Sequence, residues 1–268
     1  MPEGGGEKMK TTYQAQQGKK TWEQLEEIHR FGYDYSTIFS DFIDVCLSSL
    51  LSLTHNLQYG NIIERLQQNK LTGKYEEQYM QLVAKYPENK TKEKGKRPAD
   101  YFGNAWGMLQ KETRVAEADI LGELFMTYIS HGEHGQFFTP QHLSDMMAMM
   151  LDVERGEEGK GKTVCDPACG SGRFFISAGK LNKDLHFYGV DLSPICAKMT
   201  VLNMWLFDLN ADIYHGDTLL MKMQHVWKIR KGGFVYEAEI VEEEEPMPEQ
   251  VKKQLKLKAE QQNLFDFE

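Results

Sequence analysis

The sequence predicts an α/β protein with a Rossmann-like parallel sheet, preceded by a helical N-terminal region. From residue 131 onward, short apolar runs alternate with helical segments, a pattern typical of βαβ units. Three of these runs end in an acid, and the first acid is followed by the glycine-rich turn 170–172. Before residue 131 the apolar residues recur at helical spacing, and no stretch alternates as a strand does.

The N-terminal region is expected to contain several helices. Thr21 and Gln24 form a capping-box pattern, which predicts that the first helix begins at Thr21. The basic stretch 89–97 is interpreted as a flexible joint, with phosphate contact as an alternative to an exposed linker. Helical spacing predicts further helices over residues 35–57, 62–68, 75–86 and 116–130.

Changes in composition divide the chain into four parts. Residues 1–20 are rich in Gly, Gln and Lys and are expected to be a disordered lead-in. Residues 21–115 form the helical domain, and residues 116–230 form the sheet domain. Residues 231–268 contain an acidic block and are expected to form a mobile tail or a partner contact.

Composition and charge limit the function classes. The chain of 268 residues has a net charge of −9, whereas a DNA-binding domain usually presents a basic face. Strong autonomous DNA binding is therefore disfavoured, although a local basic patch or a partner that holds DNA remains open. No apolar run reaches the roughly 18 residues of a membrane span, and the N-terminus has no apolar centre, so a cytoplasmic location without a membrane anchor is expected.

The four cysteines favour neither a metal site nor a disulfide framework. They show no Cys-x-x-Cys spacing, and we expect no metal site. We interpret them as small core residues.

The glycine-rich turn is the strongest local signal for a ligand. A buried strand is predicted over residues 162–166, followed by Gly170-Ser171-Gly172 and an apolar helix. Glycines at the carboxyl end of a strand let the backbone approach a ligand closely. Phe175 occupies the third glycine position of a dinucleotide loop, and no Gly-Lys-Ser/Thr sequence follows, so NAD and a P-loop nucleotide fit poorly.

Two further strands are predicted to end at the same edge of the sheet. Residues 186–191 end in Asp191, about 20 residues after the glycine turn, where Rossmann-type sheets bind a ribose diol. Residues 211–215 precede Gly216-Asp217, the third acid. One acid at a strand end is commonly a helix cap, but three acids in register with a glycine turn favour a ligand site.

These segments resemble the methylation subunits of type I restriction–modification systems and related N6-adenine DNA methylases. The resemblance implies a class I, Rossmann-like S-adenosylmethionine-dependent methyltransferase fold and DNA as a partner. It covers about residues 117–219 and is carried by DILGELF (119–125), GQFFTP (135–140), DPACGSGRF (166–174), GVDL (189–192) and GDTL (216–219).

The resemblance also implies roles for the matching positions in binding S-adenosylmethionine. One set would contact the methionine and sugar: Phe138, Thr139, Asp166, Ala168, Gly170 and Gly172. Asp191 would accept hydrogen bonds from the ribose hydroxyls, and Asp217 would accept one from the adenine amino group. Leu192 or Leu219 would pack on the adenine ring.

The catalytic motif of that family is missing. Adenine methylases of this kind carry Asn-Pro-Pro-Phe or a close variant, whose Asn orients the amine and whose aromatic ring stacks on the flipped-out base. None of the eight prolines of the chain is adjacent to another, and no Pro-Cys of a cytosine-C5 methylase occurs. Residues 233–240 lie roughly where the motif's strand is expected, but they end in glutamates.

Two interpretations follow, and no catalytic residue is assigned under either. The chain is a truncated or diverged paralogue that binds cofactor without transferring methyl, or a second methylase chain or a specificity chain supplies the missing parts. A non-catalytic regulatory or interaction subunit is the alternative function.

Two other segments allow alternative interpretations. The methionine-rich stretch 146–150 is predicted to be helix core under the sheet rather than a binding face. Residues 261–267, QQNLFDF, resemble the peptides that bind bacterial sliding clamps, with a plain tail as the alternative.

Overall fold

The computed structural model describes residues 17–57, 72–130, 138–151, 161–239, 248 and 251–253. The predicted helix 62–68, the lead-in before residue 17, most of the acidic block and the clamp-like segment 261–267 lie outside the described residues. The helices are α1 (Lys19–His29), α2 (Tyr35–Leu57), α3 (Lys74–Ala84), α4 (Glu88–Thr91), α5 (Pro98–Ala116), α6 (Ile120–Leu124), a π-helix (Phe125–Ser130), α7 (Gln141–Met150), α8 (Arg173–Leu181) and α9 (Pro194–Leu206). The strands are β1 (Thr163–Asp166), β2 (His186–Asp191), β3 (Asn210–Asp217), β4 (Lys222–Arg230) and β5 (Phe234–Glu239).

The chain forms two compact units. One contains residues 1–46 and 77–137, and the other contains residues 47–76 and 138–268. Helix α2 contributes its first half to the helical unit and its second half to the sheet unit. The domain boundaries predicted after residues 20, 115 and 230 stay predictions, although strand β5 lies within the segment interpreted as a tail.

The first helix begins earlier than the capping-box pattern predicts. Helix α1 starts at Lys19, with Gly18 in the left-handed conformation before it. Thr21 is buried inside the helix, and its Oγ1 donates a hydrogen bond to Glu112 Oε2 at 2.6 Å. The hydroxyl therefore joins α1 to α5 instead of capping α1, because a tertiary partner is available to it.

The basic stretch 89–97 contains ordered structure at both ends. Helix α4 covers its start, and Arg97 precedes α5 as the N-cap residue. Asp100 Oδ2 accepts hydrogen bonds from the backbone N–H groups of Gly95 and Arg97 at 2.8 and 3.1 Å. Asp100 also pairs with the Arg97 guanidinium at 2.7 Å, so part of the predicted joint is a capped helix start.

Helix α2 has 23 residues and is the one helix among the described residues that is long and apolar enough to cross a membrane. In its most apolar window, 72% of the residues are buried inside the protein. The core helix of a water-soluble protein meets the same criterion. The region 116–130, expected to be one amphipathic helix, consists of α6 followed by the π-helix.

The sheet confirms the predicted α/β class. The strand order is β1-β2-β3-β4-β5, with β1, β2 and β3 parallel and with β4 and β5 antiparallel to their neighbours. Helix α8 connects β1 to β2, and α9 connects β2 to β3, as in consecutive βαβ units. The three parallel strands therefore end at one edge, and Asp191 is the register partner of His215.

Packing on the two faces of the sheet fixes this register. On the face with α8, the Phe175 ring packs against Phe187 with centroids 5.0 Å apart. A Cβ on Gly189 would lie 2.8 Å from the Phe175 ring, so only glycine fits that position in β2. On the opposite face, buried Val190 and Tyr214 form a cluster with two further valines, Val226 and Val251.

The interpretation of the methionine-rich stretch as helix core is wrong. Helix α7 turns Ser144 and Ala148 inward, and both are buried. The methionines of residues 146–150 are all exposed. Since an apolar run does not say whether anything covers it, the sequence could not decide this point. Three of the cysteines, Cys46, Cys169 and Cys196, are buried as predicted, whereas Cys165 is half-buried.

Candidate functional site

The turn after β1 places the first acid and the glycines at the carboxyl edge of the sheet. Asp166 Oδ1 accepts a hydrogen bond from the Ala168 backbone N–H at 3.0 Å, which closes the start of the turn. Gly170 and Gly172 both have positive φ angles, +57° and +80°. The backbone thus turns sharply before α8, in a conformation that favours glycine.

Asp191 joins the second strand to this turn. Its Oδ2 accepts a hydrogen bond from the Gly170 N–H at 2.8 Å, and its Oδ1 accepts one from the Ser193 N–H at 2.8 Å. Burial raises the pKa of Asp191, and the two N–H donors offset part of that rise. A carboxylate has about four acceptor positions, so each oxygen keeps the capacity to accept a further hydrogen bond.

Two side chains of helix α9 donate hydrogen bonds to the turn 170–172. Thr200 Oγ1 donates to the Gly170 carbonyl at 2.7 Å, and Asn203 Nδ2 donates to the Ser171 carbonyl at 2.7 Å. Both side chains are buried. Sequence reasoning missed these two residues, although polar residues one helical turn apart on a largely apolar helix are a signal that could have found them.

The segment 138–140 lies against the glycine turn. A Cβ on Gly170 would lie 3.0 Å from the Phe138 ring, so the ring packs directly on this glycine. The Thr139 side chain is exposed, while its backbone carbonyl accepts a hydrogen bond from Arg173 Nη1 at 3.0 Å. The segment is thereby fixed to the start of α8.

The end of the third strand returns to the same place. Thr218 Oγ1 donates to the Pro167 carbonyl at 2.8 Å and connects the turn after β3 to the turn after β1. Asp217 Oδ1 accepts a hydrogen bond from the Leu220 N–H at 2.9 Å. Leu192 and Leu219, which follow the second and third acids, are 70% and 54% exposed. These side chains present apolar surface beside two carboxylates.

A histidine that the sequence reasoning did not single out lies beside Asp191. His215 stacks on His225 with ring centroids 6.2 Å apart. Burial lowers the pKa of His215, electrostatic interaction with His225 and Lys198 lowers it further, and a hydrogen bond with the Leu192 backbone opposes these effects. The ring therefore helps to hold the backbone that follows Asp191.

The structure brings the predicted positions to one edge of the sheet. Asp191 is bonded to Gly170, Phe138 covers Gly170, and the turn after β3 is bonded to the turn after β1. The individual ligand roles remain predictions. Among the described residues, no group of three or more His, Cys, Asp or Glu side chains is arranged to hold a metal ion.

Comparisons with known proteins agree with this geometry. Residues 117–236 match the model of the N-6 DNA Methylase family. The methylase subunit of the type I restriction enzyme MjaIX of Methanocaldococcus jannaschii is 33% identical over 128 residues, which are 41% of this chain and 22% of that subunit. The MjaVII methylase subunit of the same organism is 28% identical over 123 residues, which are 41% of this chain and 20% of that subunit.

A solved structure is also similar. The methyltransferase subunit of a type I restriction-modification system from Streptococcus thermophilus is 16% identical, with a TM-score of 0.41, and the match covers 77% of this chain and 59% of that one. This chain spans about a fifth of the length of the curated relatives that it matches. The family match and the βαβ order together identify a Rossmann-like methyltransferase fold. The segment 117–236 belongs to the N-6 DNA methylase family.

Proposed function

We propose that the chain binds S-adenosylmethionine at the carboxyl edge of β1, β2 and β3. The observation that carries this proposal is the half-buried Asp191 carboxylate, which is held by Gly170 and Ser193 and keeps acceptor capacity for a ribose diol. Phe138, Thr139, Asp166, Ala168, Gly170 and Gly172 surround the methionine and sugar in this proposal. Asp217 accepts from the adenine amino group, and Leu192 or Leu219 packs on the ring.

The proposed reaction class is methyl transfer to adenine N6 in DNA. The lone pair of N6 attacks the methyl carbon, the bond from carbon to sulfur breaks with its electrons going to sulfur, and N6 loses a proton. The group that would orient the amine is absent from these 268 residues, which contain no adjacent prolines. We propose that a second methylase chain or a specificity chain supplies the group that orients the amine, and that DNA contact depends on the same partner.

A non-catalytic role is the second candidate, and the missing tetrapeptide favours it. In that role the chain binds the cofactor as a regulatory or interaction subunit. Methyl transfer to adenine-containing DNA distinguishes the candidates when it is measured with a labelled methyl group both for the purified chain alone and together with a partner chain that carries Asn-Pro-Pro-Phe. Transfer by the chain alone would contradict both the second candidate and the need for a partner.

The location and one further partner remain proposals. We expect a cytoplasmic protein, because its proposed substrate is DNA and because α2, the one described helix long and apolar enough to cross a membrane, is mostly buried. The segment 261–267 is proposed to bind a sliding clamp through its Gln and Leu-Phe residues. Loss of clamp binding in Leu264→Ala/Phe265→Ala would support that contact, and unchanged binding would contradict it.

Calorimetric titration of S-adenosylmethionine and of S-adenosylhomocysteine into the purified chain tests the cofactor site. We expect binding that Asp191→Ala weakens roughly 100-fold, since two hydrogen bonds to a charged group are lost. Asp184→Ala is the matched control, because Asp184 is 58% exposed and pairs with Lys231. If the folded wild-type chain binds neither ligand, or if both variants bind equally well, the proposal is wrong for this chain.

A further inference from the structure

The peptide group between Leu192 and Ser193 follows the second acid and is bonded on both sides. Its N–H, from Ser193, donates to Asp191 Oδ1 at 2.8 Å. On the other side, the His215 ring forms a hydrogen bond with the Leu192 backbone. Burial lowers the pKa of His215, whereas this bond acts to raise it, so the ring donates and the Leu192 carbonyl accepts. One peptide group therefore connects the imidazole to the carboxylate.

The register of the sheet explains this arrangement. His215 is the partner of Asp191 in the parallel pairing of β2 with β3, so it lies beside the carboxyl end of β2. The pairing of β3 with β4 is irregular between His215 and Gly216. A Cβ on Gly216 would lie 2.8 Å from Met223 Cα, so β4 passes too close for any residue other than glycine. This close approach fixes the end of β3, where His215 lies.

A row of stacked rings holds the imidazole of His215 in place. Its ring lies against that of His225, with centroids 6.2 Å apart and an angle of 8° between the planes. The His225 ring lies in turn against Trp227, with centroids 5.9 Å apart. Trp227 Nε1 donates to Glu237 Oε1 at 3.0 Å, so the far end of the row is anchored by a hydrogen bond. Stacking of this kind restricts the orientation of the His215 ring.

The surroundings of the imidazole keep it uncharged at neutral pH. Burial and electrostatic interaction with His225 and Lys198 lower the pKa of His215 from its ordinary value of 6.5. A neutral imidazole has one N–H donor, and the bond to the Leu192 carbonyl uses it. A donor to the carbonyl of a peptide polarises the N–H of the same peptide and strengthens it as a donor. The bond from this N–H to the second acid is thereby reinforced.

These contacts determine where the Asp191 carboxylate points. Its Oδ2 is fixed by the Gly170 N–H at 2.8 Å, and its Oδ1 is fixed by the 192–193 peptide. A ribose diol is recognised by a carboxylate whose two oxygens both have set positions. Loss of the His215 donor would let the 192–193 peptide rotate, so that one of the two oxygens loses its positioned donor.

We propose that His215 is a positioning residue for the ribose diol, which orients the Asp191 carboxylate through the 192–193 peptide and so sets a preference for ribose over deoxyribose. The inference rests on the proposed function, because Asp191 accepts the hydrogen bonds of the ribose hydroxyls there. His215 acts through the peptide and not by contact with the cofactor. Its effect on affinity is therefore confined to ligands that carry the full diol.

Amide NMR of the full chain without ligand tests the contact itself. His215→Phe keeps an aromatic ring against His225 and removes the donor, whereas His215→Gln restores an N–H donor. We expect the Ser193 amide proton to shift upfield in His215→Phe and to return towards its wild-type position in His215→Gln, because its polarisation is lost and regained. His215→Leu, which also lacks a donor, replaces the Phe variant if urea unfolding shows that the Phe variant does not fold.

A second histidine provides the matched control. His29 Nδ1 is hydrogen-bonded to the Tyr33 carbonyl at 2.6 Å, and its ring stacks on Tyr35 with centroids 3.9 Å apart. It lies in the helical unit, whereas His215 lies in the sheet unit. His29→Phe therefore removes the same kind of contact, and we expect it to leave the Ser193 amide proton unchanged.

Calorimetry with S-adenosylhomocysteine and with its 2′-deoxyribose analogue measures the consequence for binding. We expect the wild type and His215→Gln to prefer the ribose compound by about 10-fold, since one hydrogen bond to a well-placed acceptor distinguishes the two ligands. His215→Phe should lose this preference through weaker binding of the ribose compound alone. His29→Phe should bind both compounds as the wild type does.

Three results would overturn the inference: an unchanged Ser193 amide in His215→Phe, a shift that His215→Gln does not reverse, or an equal loss of affinity for both compounds. Each would indicate that His215 only packs. If Asp191→Ala weakens binding while His215→Phe matches the wild type, this inference fails and the proposed function stands. If the wild type binds neither compound, the proposed function fails and the ribose preference fails with it, whereas the amide shift still reports the contact of His215 with the 192–193 peptide.

Discussion

The substitution Gly172→Ala tests how tightly α9 holds the cofactor turn. Gly172 has a φ of +80°, where an L-residue costs roughly 1–2 kcal/mol. The new Cβ would also lie 2.9 Å from Thr200 Cγ2. Thr200 does not rotate away freely, because its Oγ1 is bonded to the Gly170 carbonyl at 2.7 Å. Overpacking adds about 1–3 kcal/mol, so we expect the free energy of unfolding to fall by about 2–5 kcal/mol.

Two further variants separate the backbone cost from the contact. Gly161 has a φ of +78° and no atom within 4 Å of the position of a Cβ, so Gly161→Ala measures the backbone cost alone, about 1–2 kcal/mol. Thr200→Ser keeps the hydroxyl and removes the methyl group that the new Cβ would meet. Thr200→Ser alone is expected to cost about 1 kcal/mol, since a buried methyl group is lost.

Equilibrium urea unfolding of the wild type and the four variants, Gly172→Ala/Thr200→Ser included, supplies the free energies. We expect the double variant to be more stable than the sum of its single effects by about 1–2 kcal/mol, because the deleted methyl makes room for the added one. Equal losses in Gly172→Ala and Gly161→Ala, or additive effects in the double variant, would refute the packing explanation. The m-value must be unchanged for the comparison to hold.

Two other predictions concern charged groups. Burial raises the pKa of Asp212, but hydrogen bonds from His186 and Arg230 outweigh it and lower that pKa, so Arg230→Gln should destabilise the chain by about 2 kcal/mol at neutral pH. A lowered pKa stabilises the fold above the unfolded pKa of 3.8, so the stability difference between variant and wild type should shrink as the pH falls below 3.8. A constant difference in urea titrations at several pH values would contradict this. The hydrogen bond from Arg97 lowers the pKa of Asp100, so Asp100→Asn should lower the free energy of unfolding by about 1 kcal/mol at pH 7 through loss of the α5 cap. Circular dichroism at several pH values should show this difference from the wild type vanishing in acid, and a difference that persists there would point to packing instead.

The family and the parallel part of the sheet follow from local sequence patterns. Apolar runs of strand length that each end in an acid predict β1, β2 and β3, and the strands lie at residues 163–166, 186–191 and 210–217. These elements are readable because apolar residues recur over runs of strand length and because a glycine turn has few alternatives. The expectation that the first strand is buried is wrong, since every residue of β1 is exposed or half-buried. Helical spacing of the apolar residues predicts the helix 35–57 with its observed bounds.

The neighbours of each element depend on tertiary contacts that sequence spacing does not encode. Thr21 matches a capping pattern, yet its hydroxyl bonds to Glu112, which is 91 residues away. Thr200 and Asn203 hold the cofactor turn through buried side-chain donors. They lie 30 and 32 residues after the carbonyls that they bind. Such contacts form only when two distant segments pack.

The sequence by itself determined the chemistry of the candidate site: the glycine turn, the three acids and the missing tetrapeptide are all local features. Only the tertiary structure decided which apolar residues are covered. The methionines of α7 have the hydrophobicity of a core, but the helix turns Ser144 and Ala148 inward and leaves the methionines exposed. Hydrophobicity records a tendency to leave water, and the arrangement of the other segments decides whether a partner surface is present.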